Sequence, residues 1–278
     1  LYVALFKAYF QEIILKHKLV EFFIEGGRSR TGAQLHSKFG LLSFAMELFF
    51  TKKISNLKIV PVSVSYGRVL EAESFPRELM GKPKAKESLM RLVGAVSSLR
   101  SHHGRAHVVF GEPINVADFA KQQDASPKEI THQLGLHIGR CLEANLVIMA
   151  THLVAAAMLQ ERTGMAMSLL VSKVETLRNE CRDRGRGMEV PTMGTCRDTV
   201  ANCVQTHFAT ILNVDPTNGF VTIKGEIVHN TLMLAYYRNQ LLAVFADEAM
   251  VLTALRCSSN QTELFTNVLF VAQLCGKS

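Results

Sequence analysis

The chain has 278 residues, 48% of them hydrophobic and 20% charged, a balance that excludes wholesale disorder. Lys and Arg number 31 against 24 Asp and Glu, and the resulting +7 favours anionic partners: phosphorylated metabolites, coenzyme A, acidic lipid or nucleic acid. No uncharged apolar run reaches the roughly 18 residues of a spanning helix. The six cysteines stand far apart without a CxxC pair, which reads as a reduced intracellular protein rather than a disulfide or zinc framework.

In chain order, apolar residues at Leu1, Leu5, Phe6, Tyr9, Phe10, Ile13 and Ile14 have helical spacing through His17. That pattern is already under way at Leu1, where a natural start would be Met, so a piece of a longer chain is expected. Leu19 to Ile24 is a short, almost continuous apolar run and predicts a strand buried on both faces. It runs into Glu25-Gly26-Gly27-Arg28-Ser29-Arg30-Thr31-Gly32, a turn by composition. Phe39 to Phe50 predicts a helix, and Lys58 to Tyr66 a second strand whose first half Pro61 demotes to an edge or bulge.

Pro76 to Pro83 reads as a loop, Lys86 to Arg100 as a helix, and Arg105 to Phe110 as a third strand closed by Gly111-Glu112-Pro113. This alternation predicts an α/β fold: a sheet with crossover helices covering both faces. Beyond Val116 the pattern turns helical, over Glu129 to Gln160, Met165 to Arg184, Arg197 to Leu212 and Asn230 to Leu255, with only Gly219 to Lys224 strand-like. The polar stretch Gln122 to Pro127 ends in a helix-starting proline. It divides an α/β part, residues 1–125, from a mainly α-helical C-terminal region, residues 126–278. There is no internal repeat.

The most informative segment is Phe22 to Gly32. A strand that ends at a sheet's carboxyl edge delivers its next residues to the place where open α/β sheets bind ligands. Gly26 and Gly27 let backbone N–H groups approach an anion. Arg28 and Arg30 supply planar guanidiniums for bidentate phosphate contacts, Ser29 and Thr31 add hydroxyl donors, and Glu25 is placed to hold an arginine. A tight turn whose arginines pair with surface carboxylates is the plainer alternative, with Glu25 then a capping or surface carboxylate.

Phe23 to Gly32 resembles the third conserved block, F-x-E-G-x-R-S-R, of the glycerol-3-phosphate and dihydroxyacetone-phosphate O-acyltransferases. Ile59-Val60-Pro61-Val62-Ser63-Val64-Ser65-Tyr66 is similar to their fourth block, and GKPKAKES (81–88), HVVFGEP (107–113) and YYRNQL (236–241) follow in family order. The resemblance covers residues 1 to 120 well and is patchier to about 256. Lys38-Phe39-Gly40-Leu41-Leu42, KPKAKES and HVVFGEP look most like the dihydroxyacetone-phosphate branch, whereas Gly26-Gly27 and Thr31-Gly32 are closer to the bacterial glycerol-3-phosphate version.

The resemblance implies a partial glycerolipid acyltransferase domain, a sheet with helices on both faces, that transfers a fatty acyl group from acyl-CoA to a phosphorylated three-carbon alcohol. Glu25, Gly26, Gly27, Arg28, Ser29 and Arg30 would form the phosphate site; Val60, Pro61 and Val62 would line the acyl or acceptor pocket, unless they are an ordinary buried strand. In the family the general base is an upstream His-x4-Asp histidine whose aspartate orients the imidazole. None of the ten histidines here has Asp five positions on. His107 has Glu112 there but lies inside a strand, where a half-buried structural histidine is the better reading.

The catalytic block is therefore expected ahead of Leu1, and residues 1–278 alone are expected to be inactive. No metal or redox cofactor is implied; acyl-CoA is a co-substrate. Dihydroxyacetone phosphate, in ether-lipid synthesis, is the favoured acceptor and glycerol 3-phosphate the alternative. A non-catalytic phosphate-binding fragment, or an anionic-lipid binder, is the rival of another class. The basic stretch Arg77 to Arg105, seven Lys or Arg against two Glu, would meet coenzyme phosphates or an acidic bilayer if it is not a solvated helix face. It lacks the interleaved aromatics of a nucleic-acid surface. Peripheral membrane contact follows from the lipid substrate, with a peroxisomal site expected and the mitochondrial outer membrane as the alternative.

Overall fold

The computed structural model describes residues 1–69, 74–81, 104–161, 163–189 and 194–274. It contains helices and small sheets in two compact units, Leu1–Met149 with Gly187–Val190, and Ala150–Arg186 with Pro191–Ser278. The division falls after Met149 rather than near residue 125, because the intervening helix contributes to the first unit's core.

In that first unit, helix α1 (Tyr2–Leu15) and helix α2 (Gly40–Phe50) form where the apolar spacing predicts them. Two short helices, α3 (Phe75–Leu79) and α4 (Val116–Lys121), precede α5 (Pro127–Ala144). The start of α5 is set by a reciprocal cap. The Ser126 hydroxyl accepts the Glu129 N–H at 3.3 Å, the Glu129 carboxylate accepts the Ser126 N–H at 2.9 Å, and Pro127 occupies the first turn. Ile130, Leu134 and Ile138 of α5 close a buried cluster with Ile24, Leu42, Met46 and Val116. Close approach makes Gly135 necessary there, since a Cβ would sit 2.2 Å from the Phe39 ring.

The expected strand at Leu19–Ile24 is not formed. Burial along the segment alternates: Val20, Phe22 and Ile24 turn inward while Leu19, Glu21 and Phe23 are exposed. With only one face covered and no ladder partner among the described residues, it is not the doubly buried strand its composition suggests. Pro76–Leu79, expected as loop, belongs to α3, with Pro76 in the first turn where its missing N–H costs nothing. The helix expected at Lys86–Arg100 lies outside the described residues.

Lys58 to Tyr66 forms two short strands, β1 (Lys58–Ile59) and β2 (Val62–Tyr66), because Pro61 cannot donate to a ladder. β2 pairs antiparallel with β3 (Ala106–Phe110), and β1 pairs antiparallel with β4 (Ile114–Asn115). The expected crossover sheet is thus replaced, among the described residues, by two antiparallel ladders. Among the described residues, helices cover one face of the β2–β3 ladder. The inward face of β2 carries Ser63, whose hydroxyl donates to Leu142 O at 2.8 Å, and Ser65, whose hydroxyl accepts the Val147 N–H at 3.0 Å. Its outward face is left open by the described residues.

The second unit is built around α6 (Ala150–Met158), whose residues Thr151 to Met158 are all buried, as a helix apolar on every side must be. Around it lie α7 (Met167–Asp183), α8 (Cys196–Asn202) with a π turn at Cys203–His207, and α9 (Ile227–Arg238). A helical pair follows, α10 (Leu242–Arg256) and α11 (Gln261–Leu274). A three-stranded antiparallel sheet joins β5 (Met165–Ala166), β7 (Phe220–Ile223) and β6 (Leu212–Val214). Only its middle strand is legible as a strand in sequence. The single helix expected over Glu129–Gln160 is broken at residues 145–149. There Ile148 N–H donates to Gly187 O at 2.8 Å and Val147 N–H to Ser65, so the backbone bonds to distant groups instead of to its own preceding turn.

Candidate functional site

The glycine- and arginine-rich segment is a loop closed at its base by two long-range bonds. Lys38 N–H donates to the carbonyl of buried Ile24 at 2.7 Å, and Leu35 N–H donates to Glu25 Oε2 at 2.8 Å. Glu25 is thus a loop clamp. Burial pushes its carboxyl above the usual carboxylate range, and the Leu35 N–H partly offsets this by favouring the charged form.

Gly26 makes the turn: its N–H donates to Phe23 O at 3.1 Å and its φ is +61°, a left-handed conformation that a side chain disfavours. Space adds a second constraint, because a Cβ at Gly26 would lie 2.9 Å from Lys38 Cδ. Gly27 differs. Its backbone is not left-handed and a Cβ there would meet nothing within 4 Å. The requirement for glycine therefore sits at the first position of the pair, where the resembled block also has its fixed glycine; Gly27 is an open point of approach.

Arg30 Nε bonds Glu78 Oε2 of α3 at 2.9 Å, and Glu78 is the more buried partner. A guanidinium held through Nε keeps further N–H donors for an anion, so the contact orients Arg30 as much as it neutralises it. Arg28 is exposed, and the Ser29 and Thr31 hydroxyls stand 3.3 Å apart. Gln34 Nε2 donates to Gly139 O of α5 at 3.2 Å, tying the far side of the loop to the core helix.

The structure thus gathers Glu25, Gly26, Gly27, Arg28, Ser29 and Arg30 on one pinned loop and adds Lys38, whose stem lies across Gly26. In the sequence Lys38 stands only within a family string, with no role of its own. A basic residue shortly after a Gly-rich turn was the available signal. Val60, Pro61 and Val62 stand elsewhere, at the junction of β1 and β2. Pro61 is buried and its carbonyl accepts Gly111 N–H at 2.8 Å, whereas Val60 and Val62 are exposed. His107 is half-buried on β3 opposite Ser65, with a buried Nε2 that has no hydrogen-bond partner among the described residues. Among those residues no group of three His, Cys, Asp or Glu is placed to hold a metal ion.

Chemically, the loop offers cations, hydroxyls and a left-handed glycine turn within one short segment, a setting for an oxyanion of high charge. Residues 76–277 match the family described as the glycerol-3-phosphate acyltransferase C-terminal region. The human dihydroxyacetone phosphate acyltransferase is 31% identical over 92% of this chain and 42% of its own length. Glycerol-3-phosphate acyltransferases of Ectopseudomonas mendocina (30%; 97% of this chain, 35% of theirs) and Pseudomonas syringae pv. syringae (28%; 94% and 33%) are similar as well. The chain therefore spans well under half the length of these relatives.

Proposed function

The chain belongs to the glycerol-3-phosphate acyltransferase family, matching its C-terminal region, and from that premise we propose that the complete protein moves a fatty acyl group from acyl-CoA to the hydroxyl of dihydroxyacetone phosphate. The observation that carries this reading is the pinned loop Glu25–Lys38, whose Gly26 turn and Arg28, Arg30 and Lys38 cations suit a phosphate dianion. Arg30, braced by Glu78, and Arg28 bind the phosphate; this places the acceptor's free hydroxyl at the thioester. A base removes the hydroxyl proton, oxygen attacks the thioester carbonyl, and the coenzyme A thiolate leaves. That base belongs to the part of the protein outside residues 1–278, since no histidine here has the His-x4-Asp spacing.

Glycerol 3-phosphate is the second acceptor with an observation in its favour: relatives named for it match at 28–30%, beside 31% for the human dihydroxyacetone phosphate acyltransferase. Among the described residues no helix is long and apolar enough to cross a membrane. We assign the protein a peripheral bilayer contact because its acyl substrate is lipid-like, at the peroxisome if dihydroxyacetone phosphate is the acceptor and at the mitochondrial outer membrane in the alternative.

The test is acyl transfer from palmitoyl-CoA by the full-length protein and by residues 1–278, with each acceptor in separate reactions. Turnover by the full-length protein alone is expected, with the higher kcat/KM for dihydroxyacetone phosphate. Turnover by residues 1–278 would overturn the location of the base. Silence from both, with phosphate still bound, would make the chain a binding module.

A further inference from the structure

The β2–β3 ladder has its polarity reversed. Register places Val62 opposite Phe110, Val64 opposite Val108 and Tyr66 opposite Ala106 on one face, and Ser63 opposite Val109 and Ser65 opposite His107 on the other. The serines face inward and are fixed there by Leu142 O and Val147 N–H, so a one-residue slip that would turn the valines in is blocked. The apolar face is consequently outward: Val62, Val64, Tyr66, Val108 and Phe110 are 39, 37, 51, 53 and 73% exposed. None of its six positions carries a charge. A strand face of this composition is normal only when a second layer covers it.

We propose that this face is the docking surface for the part of the polypeptide that precedes Leu1, which lays an apolar layer over Val62, Val64, Tyr66, Val108 and Phe110. The proposal rests on the acyltransferase reading for the existence of that part. Two observations select this occupant. The relatives have more than half their length outside the matched stretch, and the family that residues 76–277 match is described as a C-terminal region, which favours a partner segment ahead of it. The chain is also apolar and exposed at its N-terminal end, at Tyr2, Val3, Leu5, Tyr9, Leu19 and Phe23.

A bilayer is the poorer occupant. The face offers no Lys or Arg to acidic headgroups, and the outer edges of β2 and β3, unpaired among the described residues, carry backbone groups that hydrocarbon cannot satisfy. A protein strand or helix end can satisfy them.

The experiment places the photoreactive residue p-benzoylphenylalanine at Tyr66 or Phe110 of the full-length protein. The protein is irradiated with phosphatidylglycerol vesicles present, and the adduct is located by mass spectrometry. An adduct within one polypeptide, to a residue ahead of Leu1, is expected. An adduct to a second copy, to phospholipid, or to a residue within 1–278 overturns the proposal, as does no adduct at all. Hydrogen exchange on the unsubstituted full-length protein needs no variant. Outer-edge amides of Val62–Tyr66 and Ala106–Phe110 should exchange at least ~100-fold slower than free peptide, and rates within ~10-fold of it count against docking. Acyl transfer measured before irradiation separates the two claims: the expected adduct in a protein inactive toward both acceptors rejects the enzymatic reading and leaves the docking surface standing.

Discussion

The two units differ in where their apolar residues stay exposed: on sheet and N-terminal helix in the first, on the C-terminal helices in the second. The second encloses a helix, Ala150–Met158, and buries Phe208, Leu170, Leu234 and Val221 as well, its exposed apolar groups standing mainly on α9, α10 and α11, among them Ile227, Leu252, Phe265 and Leu269. The first closes a cluster of seven buried side chains, yet leaves aliphatic and aromatic groups of α1, β2 and β3 in solvent. A closed core supplies its own stability, whereas a half-covered layer is shaped by what it will meet. The candidate site lies in the half-covered unit, on a loop that is itself well anchored.

The comparison is sharpened most by matched truncations. Phe208→Ala, in the closed unit, should lower stability by about 3–5 kcal/mol, while Phe110→Ala should change it by less than ~0.5 kcal/mol in residues 1–278. Urea unfolding followed by circular dichroism reads both, and equal losses would dissolve the distinction.

Acid should attack the closed unit selectively. Complete burial holds the His152 imidazole down at about 3, so the folded unit keeps it neutral while the unfolded chain protonates it near 6.5. The unfolded state binds more protons between those values, so stability falls as pH drops through that window, by up to ~1.4 kcal/mol per pH unit. His152→Leu should flatten that part of the pH–stability curve; an unchanged slope would place the sensitivity elsewhere.

In the open unit the effects should be functional before they are structural. Arg30→Ala or Arg28→Ala in the full-length protein should weaken the phosphorylated acceptor by roughly 10- to 100-fold, equivalent to ~1.5–3 kcal/mol, and leave acyl-CoA affinity unchanged. Calorimetric titration with dihydroxyacetone phosphate decides it: an intact acceptor Kd in both variants removes the phosphate assignment. The smallest contrast is within the glycine pair. Gly26→Ala should cost about 1 kcal/mol through its left-handed backbone and the Lys38 stem, and Gly27→Ala less than ~0.5 kcal/mol. Thermal melts of the two variants that coincide would contradict the turn geometry.

Local pattern revealed what depends on local pattern. The helices Tyr2–Leu15 and Gly40–Phe50, the strand Val62–Tyr66 and the turn at Gly26 follow from spacing, β-branching and glycine content. The contacts that build the site were hidden because they join distant positions: Glu25 to Leu35, Arg30 to Glu78, Gln34 to Gly139. The helix break at residues 145–149 was hidden for the same reason, since Ser65 and Gly187 supply the bonds that draw the backbone out. Leu19–Ile24 misled differently. Its apolar run states how many faces the segment can bury, and a second covering layer is not among the described residues.

The clamp between Glu25 and Leu35, ten residues apart, also has an evolutionary consequence. Once both ends of a loop are fastened to the core, the closure entropy depends only weakly on how many residues lie between them; doubling the span costs about 0.6 kcal/mol. The stretch between Gly27 and Gln34 can therefore lengthen or shorten at little entropic cost, provided that Arg30 keeps Glu78 and Gln34 keeps the Gly139 carbonyl. A lineage carrying this scaffold can change what the loop presents to solvent by editing one short exposed segment while the fastened ends stay where they are.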